Sequence, residues 1–469
     1  MMLRKVITYF LGNVLSRVIV FVLLPIYSKY IAPADYGYYD IVNTYVIFIS
    51  SVLCMEIWTT MLRFVIEKED IESKYASLQN AIILLFASVL VFTSLILLTN
   101  LFIPIVYVYL VLLYAVSLCF QNFYSYIARA FGKNFLFAIS GVASSLTYVG
   151  LNLLLILKFK FDYSALYISF IAGALVQCLI VSIVLRPFSH LNLRKINFSE
   201  IKAMLKFSWP LGINLGAFWF LNSYSKSAIV NAMGTEVNGY FSMGAKFGAI
   251  IQFLSACLIM AWQEKAFEQG GKDVQSSFWS KMITTYMKLI FCGGAIIIPV
   301  VFLIYPLLID EQYEKGMEIV PTFILATIMS VFASFLTAIF AAVKKTYNIF
   351  ITTLIGAIVN VLAVHVLIPS FGINAAAISM VCGFSVCILM RLHNIHKIIG
   401  ARTDWNQIVL TVVPSIIIAI VCFYSQNIWI NICSLVILLI FFFIANRAEV
   451  NSIFKQIFNF ILRRNSVTQ

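Results

Sequence analysis

Long apolar runs follow one another along almost the whole chain, and polar or charged residues gather in the short stretches between them. A helix rises about 1.5 Å per residue, so about twenty residues cross a hydrocarbon core of about 30 Å. The runs, with their turn signals and flanking charges, predict about fourteen membrane helices, at residues 6–31, 37–62, 78–99, 102–128, 136–157, 163–185, 204–231, 236–262, 281–305, 318–343, 346–367, 372–396, 406–425 and 428–446. The expected fold class is an all-α polytopic membrane protein with no soluble domain outside the runs. The first run follows Arg4 and Lys5, as a signal peptide would. It is too long and lacks a small-residue cleavage pattern, so it reads as a retained span.

Part of the pattern repeats. "ALYISFIAG" from Ala165 has a counterpart in "AAAISMVCG" from Ala375, and Asn152 and Asn360 lie upstream of each. "LGN" at Leu11 corresponds to "LGIN" at Leu211, and "YGYYD" at Tyr36 to "NGYFS" at Asn238. A unit of about six helices repeated in one orientation predicts two pseudo-symmetric lobes, related by an axis along the membrane normal with a cavity between them. The lobes are expected at 1–200 and 201–400, with two extra helices and a tail at 401–469.

Composition agrees with this class: 62% of the 469 residues are hydrophobic and 11% charged, against about 25% charged in soluble domains. The net charge of +13 does not mark a nucleic-acid binder, because the basic residues punctuate loops instead of forming one face. Alternate loops carry Arg4, Lys5, Arg63, Lys68, Lys74, Arg129, Lys133, Arg186, Arg194, Lys195 and Lys202, and further on Lys344, Lys345, Arg391, Lys397 and Arg402. The opposite loops are poor in such residues, and "IDEQYEKGME" is acidic. By the positive-inside rule both termini are cytoplasmic, as an even helix count requires. The nine cysteines lie almost entirely within apolar runs and show no metal-ligand spacing, so they read as small core residues. No nucleotide-binding loop, catalytic triad or paired acids on a soluble face appears, which argues against an enzyme.

Against this apolar background the buried charges stand out. Arg17 lies roughly 16 Å into the first run, with Asn13 one turn earlier on the same face. A central arginine costs about 2.5 to 3.5 kcal/mol on insertion scales, so that face is expected to point at a cavity. Lys246 has comparable depth, whereas Lys226 and Lys288 lie nearer helix ends, and Asp40 and Glu56 are the internal acids. Each cation either faces a ligand or pairs internally and holds helices together. His393 and His396 lack a third ligand for a metal and read as an interfacial basic face. His365 reads as a hydrogen-bonded core residue. Pro210 and Pro299 are either hinges or static bends. Trp219 and Tyr224 are candidate sugar-stacking surfaces, and Tyr36, Tyr38 and Trp405 interfacial anchors.

Several stretches carry a family resemblance: "LPIYSKYIAPADYGYYDIV", "MEIWTTMLRFV", "GTEVNGYFSMGAKFGAII", "AWQEKAFE", "DEQYEKGMEIVP" and "KKTYNIFITTLIGAIVNVLAVHVLIPSFGINAAAIS". In order and spacing the chain resembles the bacterial polysaccharide biosynthesis flippases (Wzx-type) of the multidrug/oligosaccharidyl-lipid/polysaccharide exporter superfamily. The resemblance implies a multi-pass protein of the bacterial cytoplasmic membrane that moves undecaprenyl-pyrophosphate-linked glycans to the outer leaflet by alternating access. It implies no cofactor. The expected partners are the lipid-linked glycan, the bilayer, and polysaccharide polymerase and chain-length proteins, with no nucleic acid.

On that basis Arg17, Asn13 and Lys246 are expected to engage the pyrophosphate, with Lys226 and Lys288 along its path. Asp40 and Glu56 serve either as counter-ions or as a site for a coupling ion. Many relatives have an Asp-Arg pair where this chain has Ser225-Lys226, which puts coupling schemes that use that acid in doubt. Two other readings remain at this point: a drug or cation antiporter of the same superfamily, and a non-transporting scaffold for glycan assembly.

Overall fold

The computed structural model describes residues 21–447, apart from residues 22, 188–195, 254, 257–275, 344, 403 and 426. The described residues form helices and connecting turns without a strand. In chain order the helices are α1 (Pro33–Leu53), α2 (Ile57–Ile66), α3 (Ile71–Phe102), α4 (Val108–Ala130), α5 (Asn134–Leu153), α6 (Ser164–Leu185), α7 (Phe198–Asn222) and α8 (Tyr224–Met233). They continue with α9 (Thr235–Ala245), α10 (Ser276–Leu308), α11 (Val320–Ala342), α12 (Thr346–Phe371), α13 (Ala375–Ile399), α14 (Trp405–Ser425) and α15 (Ile428–Ala445).

Local chemistry sets several boundaries. Pro33 opens α1, where its missing N–H costs nothing. Asp70 caps α3 by accepting the Ser73 amide at 2.7 Å. Gly400, at φ 72°, ends α13 in the left-handed conformation that glycine adopts freely.

Among the described residues eight helical stretches are long and apolar enough to span a membrane, or nine if the bent pair α1 and α2 is one span. One of the eight, Tyr347–Ile399, has 53 residues, which would reach about 80 Å as a straight rod. It folds back at Gly372–Asn374 into α12 and α13. The chain is therefore a multi-pass, all-helical membrane protein. The run expected at 37–62 is two helices bent by 42°, and the run expected at 204–231 is α7 followed by α8.

The described residues fall into two compact units. One runs up to Trp219 and includes Met233–Gly239, and the other comprises Phe220–Ala232 and the described residues from Tyr240 onward. In the first unit α2 packs on α3 and α4, and α6 packs on α4 and α5. Gly173 admits the Ser144 carbonyl against its backbone, a contact that a methyl group would close to 2.8 Å. Gln121 donates to Ser144 at 3.0 Å and to Gln177 at 3.1 Å, and Gln177 donates to Ser125 at 2.6 Å. This satisfied amide chain fastens α4, α5 and α6 where lipid offers no substitute partner. In the second unit α12 and α13 form a close hairpin, α11 covers α13, and both α14 and α15 rest on α10.

Candidate functional site

Arg17 and Asn13 lie outside the described residues. The remaining candidates fall on separate elements of the two units.

In the first unit Asp40 is 3% exposed on α1. Tyr36, Tyr114 and Tyr167 lie close enough to feel its charge. The cluster extends through Tyr39, whose ring centre is 4.9 Å from that of Tyr167, and through Tyr27, whose hydroxyl is 3.1 Å from that of Tyr148. Tyr114 donates to the Asn43 side chain. The Tyr167 hydroxyl is buried without a hydrogen-bond partner among the described residues. A buried acid among phenols is a polar island in an apolar bundle, and islands of this kind in membrane helices are rarely idle.

Glu56 occupies the break between α1 and α2. Met55 and Glu56 both have positive φ, 46° and 54°, which is uncommon for non-glycine residues. The Glu56 carbonyl accepts the Thr59 and Thr60 amides at 2.9 and 3.1 Å, and its carboxylate accepts the Thr59 hydroxyl. Its carboxylate thus stands at the start of α2. Gly212 of α7 reaches the Met55 backbone, and a methyl group there would come within 3.2 Å of the Met55 Cα.

The lysines of the second unit stand on three elements. Lys246 follows α9 at a local turn: its amide bonds to the Met243 carbonyl at 3.3 Å, and the Ala249 amide bonds to the Lys246 carbonyl at 3.1 Å. It is half-buried, like Lys226 on α8 and Lys288 on α10. Beside Lys226, Ser225 is buried and lies 3.2 Å from the Asn360 amide oxygen and 3.1 Å from the Ser379 hydroxyl. Asn360 in turn donates to the carbonyls of Phe220 and Leu221, at 2.9 and 3.3 Å. Ser225 thus ties α8 to α12 and α13 through neutral groups.

Other candidates change meaning. Trp219 is 8% exposed and its ring is stacked on Phe48 at 4.2 Å, so it packs the interior instead of offering a face to a sugar. Its indole donates to the Thr44 carbonyl at 3.3 Å. His365 is hydrogen-bonded, 3.0 Å from the Tyr224 hydroxyl, but lies on the surface and not in the core. Pro210 and Pro299 sit within continuous helices. Among the described residues no three His, Cys, Asp or Glu side chains gather as a metal-holding group.

Sequence reasoning passed over Arg391, grouping it with the basic loops. It is 3% exposed on α13, and its guanidinium makes four hydrogen bonds, all to neutral oxygens. Nε donates to Thr352 at 3.0 Å, Nη1 to the Ala333 carbonyl at 2.5 Å and Thr337 at 2.7 Å, and Nη2 to Thr353 at 2.8 Å. Four directed donors from one planar group clamp α11, α12 and α13. Threonines at 337, 352 and 353 within apolar runs were the available signal.

A family model described as polysaccharide biosynthesis protein matches residues 2–263. Among solved structures, "Lipid II flippase MurJ, inward closed conformation" has a TM-score of 0.72 at 14% identity, covering 94% of this chain and 99% of that one. An inward-facing multidrug resistance MATE family transporter of the MOP superfamily has a TM-score of 0.68 at 15% identity, covering 82% and 95%. Its outward-facing counterpart has a TM-score of 0.60 at 15% identity, covering 85% and 95%. These likenesses establish the fold. No curated protein matches the sequence.

Proposed function

The chain belongs to the polysaccharide biosynthesis protein family, and from that premise we propose that it is a flippase for undecaprenyl-pyrophosphate-linked oligosaccharide units destined for a surface polysaccharide, O-antigen or capsule. The observation that carries this reading is membership of that family in a chain that shares its fold, over nearly its whole length, with a protein named as a lipid II flippase. The protein would reside in the bacterial cytoplasmic membrane with both termini cytoplasmic and deliver its cargo to polymerase and chain-length proteins.

In this reading two six-helix lobes, 1–200 and 201–400, alternate access through a cationic cavity, and 401–469 adds two helices and a tail. Arg17 with Asn13, and Lys246, hold the pyrophosphate, while Lys226 and Lys288 line its path. Phosphate charge is held more strongly by cations in a low-dielectric wall than in water. Lys246 at a helix interruption suits this role, because irregular backbone within membrane helices concentrates at cavities and binding sites. Asp40 and Glu56 act as counter-ions to these cations.

The test uses a strain lacking the gene and a sugar-modifying reagent that cannot cross the membrane. Complete lipid-linked units trapped in the inner leaflet, and released by the wild-type protein but not by Arg17→Ala, are the expected result. The MATE-like fold favours an antiporter as second reading. Normal outward appearance of the glycans together with altered drug sensitivity would establish that one instead.

A further inference from the structure

A cavity of about 330 Å³ lies where α13 ends and α14 begins, lined by Leu389, Leu392, His393, His396, Arg402 and Trp405. All six belong to the second unit. Its composition is divided: the leucines and the Trp405 ring offer apolar surface, while two imidazoles and a guanidinium supply the polar part. His393 and His396 are three residues apart, on one face of the last turns of α13. His396 Nδ1 is 3.0 Å from the Ala401 carbonyl, an oxygen that only accepts, so this nitrogen carries a proton and is committed to the backbone.

The Arg402 backbone is fixed by its amide bond to Ser280 at 2.9 Å, whereas its guanidinium and the His393 ring have no hydrogen-bond partner among the described residues. The acid two residues on, Asp404, accepts the Gln407 amide at 3.2 Å at the start of α14 and is not among the lining residues.

We propose that this cavity binds the phosphate headgroup of an anionic phospholipid. Nothing in the transport reading requires the site. The Arg402 guanidinium calls for an anion with several acceptor oxygens, and its planar fork suits phosphate. The apolar part of the cavity calls for a ligand with hydrocarbon attached, which inorganic phosphate lacks. Trp405 is 54% and Leu389 51% exposed, and tryptophan at a helix end suits the headgroup level. Basic pockets between helices near the cytoplasmic surface hold anionic headgroups on the same grounds.

The experiment is native mass spectrometry of the full chain titrated with dioleoylphosphatidylglycerol, and separately with dioleoylphosphatidylcholine. One saturable phosphatidylglycerol is expected, weakened about fivefold by Arg402→Gln and more than about tenfold by His393→Gln with Arg402→Gln. Both side chains are exposed and unbonded, so folding should survive, and an unchanged melting midpoint verifies it. Lys397→Gln removes a neighbouring exposed charge outside the lining and should leave binding unchanged.

Equal binding of phosphatidylcholine, or equal loss in Lys397→Gln, would overturn the site in favour of a diffuse field. Displacement by millimolar inorganic phosphate would make it a free-anion site, and displacement by undecaprenyl pyrophosphate would assign it to the transported lipid; both refute the proposal. Binding is read without transport, so its failure is separate from that of the flippase reading.

Discussion

Two of the places where paired glycines bring helix backbones into contact are built differently. In the first unit Gly37 of α1 meets Gly239 of α9, the residues that the repeat aligns. A methyl group at Gly37 would lie 1.8 Å from the Thr235 carbonyl oxygen, and one at Gly239 would lie 2.0 Å from that of Pro33. In the second unit Gly356 and Gly383 face each other across the α12–α13 hairpin, with corresponding distances of 2.8 and 2.7 Å to each other's carbonyl oxygens. The first seam is tighter, yet it joins helix starts and is tied at Gly37 by a bond from Asn238 Nδ2 to the Gly37 carbonyl at 2.7 Å. The second lies between the Asn360–Ser225–Ser379 bridge and the Arg391 clamp. Closeness of approach and polar fastening are thus separate properties, and a contact can have much of one and little of the other.

The comparison breaks first at Gly37. The atom that a new methyl group meets is backbone, so no rotamer relieves it, and the two helix starts must part. Gly37→Ala should cost about 3 kcal/mol or more, the upper end of overpacking effects. Gly141→Ala, with open space around it, should be neutral. Melting midpoints in one detergent rank the two variants, and equal midpoints would show that the first seam is not closed in solution.

The second seam is sharpened by Arg391. Arg391→Lys keeps a buried charge but gives up the planar fork, and should cost about 2 to 3 kcal/mol. Arg391→Met removes charge and bonds together. Thr337, Thr352 and Thr353 already bond to carbonyls of their own helices, at 3.2, 2.7 and 2.8 Å, so few groups are orphaned. Its cost should be smaller, about 1 kcal/mol. The reverse order would mean that the clamp works by packing and not through directed bonds. Gly383→Ala should fall between them at about 1 to 2 kcal/mol, because its clash is milder than that at Gly37.

The two seams also separate what the sequence reveals from what it hides. Helices, the apolar class and the α12–α13 hairpin follow from runs of sufficient length broken by a turn at Gly372–Asn374. The repeat brought Gly37 and Gly239 into correspondence, although nothing in "YGYYD" or "NGYFS" says that the two touch. The break at Met55 and Glu56 has neither proline nor glycine to announce it. Charge counting misread Arg391, because composition cannot tell a guanidinium in water from one whose partners are threonines forty or fifty residues away. Trp219 misled for the same reason: whether a ring is open to a sugar depends on what covers it, and the covering Phe48 is remote in sequence.

Asn238 tests how much of the first seam is polar. Asn238→Ala deletes one bond to a backbone carbonyl without adding bulk, and should cost about 1 kcal/mol. Hydrogen exchange of residues 33–41 and 235–242 reads the effect locally, and both helix starts should exchange faster together. A rise in only one would mean that the bond serves its own helix and not the seam.

The weakest support of the first seam comes from its flank and is sensitive to pH. Tyr38, on α1 beside Gly37, accepts the Val106 amide at 2.9 Å and packs edge-on against Tyr163 at 5.9 Å, which in turn meets Tyr107 at 5.5 Å. Tyr107 donates to Asp162 at 2.6 Å, and the Ser164 amide donates to the same carboxylate at 2.9 Å. Burial raises the Asp162 carboxyl, but the bonds from Ser164 and Tyr107 outweigh it and leave the group below its ordinary value of 3.8. A carboxylate held low stabilises the fold above its unfolded-state value, and that contribution fades as pH falls through the folded-state value. Tyr107→Phe removes one of the bonds, so the variant should melt slightly lower than wild type at pH 7. The gap should narrow as the pH is taken below the carboxylate range, because wild type then loses what the variant already lacks. Asp162 is largely solvent-facing, and the effect should stay within a few tenths of a kcal/mol. A gap that is constant from pH 7 to pH 3 would show that Tyr107 supports α1 through ring packing alone.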